Sequence, residues 1–136
     1  MEVFVDYLGG VKFEVATRGH RIISDQPIEN GGTDIGMTPP ELLLASLGSC
    51  AGYYAAEYLR ARSLPVQGLR VKVEAEKAIR PARLSPFRVL VEAPGIDLGH
   101  RDPLLRTVKS CLIHNTLLHP SSIEVTVEMD GQANAA

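Results

Sequence analysis

The chain is poor in cysteine, has no surplus of either charge and lacks any apolar run long enough to cross a bilayer. Two of its 136 residues are cysteines, and 14 Lys and Arg face 16 Asp and Glu for a net charge of −2. So even a balance gives no electrostatic footprint for nucleic acid or an anionic membrane surface, which call for clustered basic residues. The short basic stretch Arg80, Arg83 and Arg88, set around Pro81 and Pro86, reads as a solvated hairpin loop. The longest apolar run, Leu42 to Ala56, is 15 residues. A membrane span needs ~20, and Glu57 and Arg60 close this run, so it reads as a buried core helix. The opening MEVFVDYLGG has neither the basic start nor the apolar stretch of a secretory signal. A cytoplasmic location is therefore expected, where a disulfide would be transient rather than structural. There is no internal repeat and no low-complexity segment. Close Cys/His pairs of a structural zinc site are absent, and Gly31, Gly32 and Gly36 do not form a phosphate-cradling pattern. No metal and no cofactor are expected.

What is present is the composition of an ordinary folded protein, 45% hydrophobic and 22% charged, read as one domain over residues 1–136. The first 24 residues alternate as three short strands: Val3, Val5 and Tyr7 on one face, then Val11 to Ala16, then Arg21 to Ser24. Gly9-Gly10 and Arg18-Gly19 supply the turns. Asp25 to Met37 is a glycine-rich loop. Thr38-Pro39-Pro40-Glu41 is a strong helix start, with threonine as cap, proline in the first turn and Glu41 able to reach back to the cap amide. That helix should run to about Arg62. Leu69 to Ala78 alternates cleanly and so has one wet face, and Phe87, Val89 and Val91 begin its partner. Asp102-Pro103 starts a second helix ending near Leu118 to Pro120. Ile123, Val125 and Val127 make a last strand, with Gly131 to Ala136 as a tail. The order βββ-α-ββ-α-β implies an α+β fold with mainly antiparallel sheets around a long buried central helix. One small sheet covers only one side of so apolar a helix, and a second copy of the chain is the simplest cover for the rest. A homodimer with this helix near its centre is expected.

The two cysteines carry the chemistry. Cys50 lies in PPELLLASLGSCAGYYAAEYLR and Cys111 in DPLLRTVKSCLIHNTL. A thiolate is the nucleophile, and apolar burial disfavours it. Cys50 sits about three turns into its helix, too deep for the helix dipole to help. A cation must come from elsewhere: Arg18, Arg60 or an arginine of a partner subunit. Helical spacing puts Leu47, Tyr53 and Tyr54 on the face of Cys50, a greasy surface suited to an apolar substrate. Cys111 shares its own face with Thr107, Val108, His114 and Asn115. If the helices pack together, Cys50 could attack a peroxide and Cys111 condense with the resulting sulfenic acid. Inert core packing of both thiols, a Cys111–His114 nucleophile pair for thiol-dependent hydrolysis, and a zinc site with His119 are the competing readings of the same residues.

The run Gly36-Met37-Thr38-Pro39-Pro40-Glu41-Leu42-Leu43-Leu44-Ala45-Ser46-Leu47-Gly48-Ser49-Cys50 resembles the signature of the OsmC/Ohr family (osmotically inducible protein C and organic hydroperoxide resistance proteins). Cys111-Leu112-Ile113-His114-Asn115-Thr116-Leu117 resembles its second cysteine motif, and the leucine-rich first motif is closest to the OsmC-like branch. The resemblance spans nearly the whole chain. It implies an intertwined homodimer with active sites at the subunit interface. It also implies a thiol peroxidase acting on small apolar hydroperoxides, with Cys50 peroxidatic, Cys111 resolving and a thiol reductant closing the cycle. Characterised members carry an activating arginine near the first turn, where this chain has Leu8-Gly9-Gly10; Arg18, one turn later, is the candidate replacement. They also carry a glutamate where this chain has Pro40, and the neighbouring Glu41 is better read as a helix cap. The alternative is a dimeric OsmC-like module that binds a small hydrophobic ligand in the same pocket without peroxidase turnover.

Overall fold

The computed structural model describes residues 1–133. Its organising element is the long helix α1, Pro39–Ala61. The reciprocal cap is present: Thr38 Oγ1 accepts from the Glu41 amide at 3.4 Å, and Glu41 Oε2 accepts from the Thr38 amide at 2.7 Å. Pro39 and Pro40 occupy first-turn positions where no intrahelical donor is needed. Along one face Leu47, Ala51, Ala55, Tyr58 and Leu59 are buried, at the three-and-four spacing of a helix that packs on one side. Full burial of Leu59 alone contributes roughly 1.5–3 kcal/mol.

Two strands, β4 (Arg70–Ala78) and β5 (Arg83–Glu92), form an antiparallel hairpin that covers this face. Val71 and Val91 turn toward the helix while Lys72 and Leu90 face away, as the period of two requires. Gly48 and Gly52 let β4 approach. A Cβ at Gly48 would stand 3.0 Å from Val73 Cγ2, and one at Gly52 would stand 3.6 Å from Val71 Cγ2. Helix α2, Arg101–Lys109, closes the core through Leu104 and Val108. The Tyr58 hydroxyl shares a 2.8 Å hydrogen bond with His100 Nδ1, tying the end of α1 to the entry of α2. The Arg62 guanidinium lies 3.7 Å over the Tyr58 ring.

The N-terminal strands β1 (Phe4–Gly9), β2 (Lys12–Thr17) and β3 (His20–Ser24) form a separate antiparallel meander. Among the described residues it makes no substantial contact with any helix or with the β4–β5 hairpin. Phe4, Val5, Tyr7, Phe13 and Ile22 are consequently exposed. The link to α1 is ordered by Asp25, whose buried carboxylate accepts from the Gln26 amide (2.8 Å), Thr33 Oγ1 (2.8 Å), the Thr33 amide (3.1 Å) and the Ile35 amide (3.2 Å). Burial alone would raise its pKa, but these donors outweigh it and hold the group at about 2. The loop is so tight that a Cβ at Gly36 would lie 2.1 Å from the Ile23 carbonyl oxygen.

The α+β class, the antiparallel sheets and the central helix agree with the expectation from sequence, while two details differ. The second helix is broken: α2 ends at Lys109, and α3, Leu112–Leu118, begins after an extended Cys111 (φ −55°, ψ 134°). Cys111 therefore caps α3 and does not share a continuous helix face with Thr107 and Val108. Residues 123–127 form no strand, and among the described residues no strand pairs with them. Ile123 and Val125 stay 90% and 81% exposed. A short hairpin follows, β6 (Glu128–Met129) with β7 (Gln132–Ala133). Of the expected tail, residues 134–136 lie outside the described ones.

Candidate functional site

The break between α2 and α3 creates the site. At Cys111 the chain turns back toward α1, and the thiol is fully buried next to Cys50, which is only partly covered. Both are free thiols. Cys111 Sγ accepts from the His114 amide at 3.5 Å, as an N-cap side chain does. Burial, and after it the neighbouring Cys50 thiol, push the Cys111 pKa up, while the His114 and Ile113 amides pull the other way and lose. Burial thus disfavours the Cys111 thiolate, and Cys50 is the more exposed of the two side chains.

Among the described residues no Arg, Lys or His side chain hydrogen-bonds to either sulfur. Arg18 stands at the exposed tip of the β2–β3 turn in the left-handed region (φ 49°). Glu41 is committed to the cap amide of α1. Arg60 pairs with Glu57 on the outer face of α1. Leu47 is 2% exposed. Tyr53 and Tyr54 pack edge to face, their ring centroids 5.6 Å apart, with Tyr53 61% exposed.

A cavity of about 1000 Å³ opens between α1, β5, α2 and α3. Leu43 and Leu47 form its α1 wall, and Cys111 and His114 lie in its α3 wall. Cys50, Tyr53 and Tyr54 are not among the residues that line it, so the greasy face expected around Cys50 is divided in two. His114 Nδ1 is buried without a hydrogen-bond partner. The cavity is built from four elements distant in sequence. Its basic members Arg83, Arg101 and Lys109 carry no linear signal; Arg83 is exposed beside the β4–β5 turn, as expected, and also borders the cavity. Among the described residues no group of three or more His, Cys, Asp or Glu is placed to hold a metal. Among the described residues no helix is long and apolar enough to cross a membrane.

The molecule thus belongs to a class of small α+β proteins in which a long central helix and a capping cysteine bring two thiols together. Residues 31–130 match the family described as OsmC-like protein, and the chain belongs to that family. Among solved structures it is similar to a candidate osmotic stress induced and detoxification response protein from Psychrobacter arcticus 273-4 (TM-score 0.76, 23% identity, 87% of this chain and 88% of that one). It is also similar to an OsmC-like protein from Mycoplasma pneumoniae (TM-score 0.74, 19% identity, 88% and 87%). An organic hydroperoxide resistance protein OsmC from Legionella pneumophila is a third (TM-score 0.61, 17% identity, 88% and 90%). At these identities the likeness concerns the fold. No curated protein matches the sequence.

Proposed function

We propose that the protein is a thiol peroxidase that reduces organic hydroperoxides through a Cys50–Cys111 disulfide. The observation that carries the reading is that two free thiols are neighbours, Cys50 partly exposed and Cys111 buried. Cys50 thiolate attacks the terminal peroxide oxygen, the O–O bond breaks, and the alkoxide leaves to take up a proton as alcohol. Cys50 is then a sulfenic acid. The Cys111 sulfur displaces hydroxide from it, water departs and the disulfide forms. Two equivalents of an external thiol return both cysteines to the reduced state, so one hydroperoxide yields one alcohol and one water for two electrons. Membership of the OsmC-like family and the hydroperoxide-resistance description of the Legionella protein support this chemistry. Arg18 is the candidate activator of Cys50, reaching a site from the β2–β3 turn of a second copy.

That second copy is part of the proposal. A sheet with Phe4, Val5, Tyr7, Phe13 and Ile22 exposed, and an exposed strand-like segment at residues 123–127 with no partner strand among the described residues, are the marks of surfaces completed by another chain. The test is consumption of cumene hydroperoxide and hydrogen peroxide by the pre-reduced protein, with free thiols counted before and after. Loss of two thiols per chain, faster with the organic peroxide, is the expected result. No loss with either would discard the peroxidase. The absence, among the described residues, of a cation bonded to either sulfur, together with the large cavity, favours a second reading, a module that binds an apolar ligand without turnover.

A further inference from the structure

Cys111 holds two positions at once. It is the N-cap of α3, its sulfur accepting from the His114 amide at 3.5 Å, and it is the neighbour of Cys50 on α1. Its backbone is tied to the end of α2. The Ser110 amide donates to the Thr107 carbonyl oxygen at 3.0 Å, and the Cys111 amide donates to that of Val108 at 3.1 Å. With the main chain held there, the sulfur moves mainly by turning about its own side-chain bond.

Helix α3 has little else to hold it. It is seven residues long, none of them buried, and it packs chiefly on α1. A helix so short does not stand by itself in water, and its first amides have no partner inside the helix. Beyond it the chain runs from His119 to Val127 without a helix or strand. His114, Leu117 and Leu118 of α3 nevertheless form one wall of the large cavity, and the Cys111 side chain in that wall is fully buried.

We propose that capping α3 and bonding Cys50 are alternatives for one sulfur, so that closing the disulfide frees the His114 amide, releases the start of α3 and opens that wall of the cavity to an incoming thiol. The inference rests on the Cys50–Cys111 disulfide of the reading above. It supplies a route by which an external reductant reaches a bond that has a buried partner. Closure passes two electrons and two protons from the thiols to the oxidant. On return, a reductant thiolate attacks one sulfur, and the other departs and takes up a proton. A second reductant thiol then expels the first sulfur from the mixed disulfide. With its thiol restored, Cys111 caps α3 again and the wall closes.

Diamide, which oxidises a thiol pair without a peroxide, prepares the disulfide in the full chain, and hydrogen exchange by mass spectrometry reads the result. Amides of residues 113–118 should exchange about fivefold faster in the oxidised than in the reduced protein. That ratio is the ~1 kcal/mol worth of an N-cap taken at about 1.4 kcal/mol per factor of ten. Amides of α2 should not change. Diamide-treated Cys50→Ser should keep the slow rate. Reduced Cys111→Ala should exchange as fast as oxidised wild type, whereas reduced Cys111→Ser should stay slow. Access is read at Thr116, exposed on α3 and outside the cavity wall. Dithiothreitol should reduce the disulfide about fivefold faster in Thr116→Gly than in Thr116→Ala, since glycine loosens a helix by that ratio. Equal exchange in reduced and oxidised wild type would overturn the proposal, as would equal reduction rates in the two Thr116 variants. If diamide leaves both thiols free, the moving helix and the peroxidase fall together. If diamide closes the disulfide and cumene hydroperoxide does not, only the peroxidase is lost.

Discussion

Replacing Cys111 with serine separates the fold from the chemistry. Cys111 does two jobs: its sulfur caps α3 through the 3.5 Å bond from the His114 amide, and it faces Cys50. Serine is among the preferred N-cap residues, worth about 1 kcal/mol over a side chain with no acceptor. Its oxygen should therefore hold the α3 cap at least as well as sulfur does. Against this stands the hydroxyl proton, buried in a site with 0% exposure, which costs ~1–3 kcal/mol if it finds no acceptor. The Cys50 sulfur beside it is a weak acceptor, so the penalty is only partly met. The two effects oppose each other, and the net change should stay within about 1–2 kcal/mol, a Tm shift of less than roughly 10 °C for a domain of this size.

The chemistry has no such compensation. Without a thiol at position 111, the Cys50 sulfenic acid has nothing in the chain to condense with. The Cys111→Ser protein should consume one equivalent of cumene hydroperoxide in a burst and then recycle slowly with external dithiol. Dimedone should label its Cys50, whereas wild type should lose two thiols and take no label. Stopped-flow peroxide loss, mass spectrometry and thermal melting read all of this from one preparation. A variant that turns over at the wild-type rate would remove Cys111 from the cycle, and one that fails to fold would refute the capping argument.

Because burial and the Cys50 thiol raise the Cys111 pKa above its ordinary value of 9.0, the disulfide-closing phase should still be accelerating as pH passes that value; a closing rate that levels off near pH 8 would contradict this. Asp25, held at about 2 against an ordinary 3.8, contributes stability that is complete above pH 3.8 and is lost as pH falls toward 2. Asp25→Asn should lower the melting temperature at neutral pH and flatten its decline over that acid window, as followed by circular dichroism. Tyr58→Phe removes the 2.8 Å bond to His100 but keeps the ring under Arg62, so denaturant melts should show a loss of about 1 kcal/mol, and a loss above about 3 kcal/mol would mean the tyrosine holds more than that bond. Ile123→Lys with Val125→Lys, both on exposed positions, should shift sedimentation from dimer to monomer while far-UV circular dichroism stays close to wild type.

How far the sequence can be read depends on how local each determinant is. The bounds of α1 were legible because Thr38, Pro39 and Glu41 act within one turn. The β4 strand was legible because its alternation is a property of the strand alone. The break at Cys111 was not, since no glycine or proline marks it and the apolar spacing from Leu104 to Val108 runs up to it undisturbed. Nor was Asp25, whose donors at Thr33 and Ile35 are brought back by the loop's own fold. Cys50 and Cys111 were each legible within a motif, and the structure makes them neighbours. The cavity that has Cys111 but not Cys50 in its wall was not legible, because four elements must be assembled before it exists.

The same distinction bears on what a dimer would add. The two thiols are neighbours through α1 and the start of α3 of one chain, so the proposed disulfide would need no second subunit. The exposed apolar strands β1 to β3 and residues 123–127 do need something to cover them. Chemistry and access should therefore separate in the Ile123→Lys, Val125→Lys protein. If the second copy supplies only the wall of the substrate site, the monomer should still close its disulfide but lose its preference for an organic peroxide over hydrogen peroxide. If the second copy also supplies the activating cation, the burst itself should slow for both peroxides. That pair of rates would place the arginine that the first turn of this chain lacks.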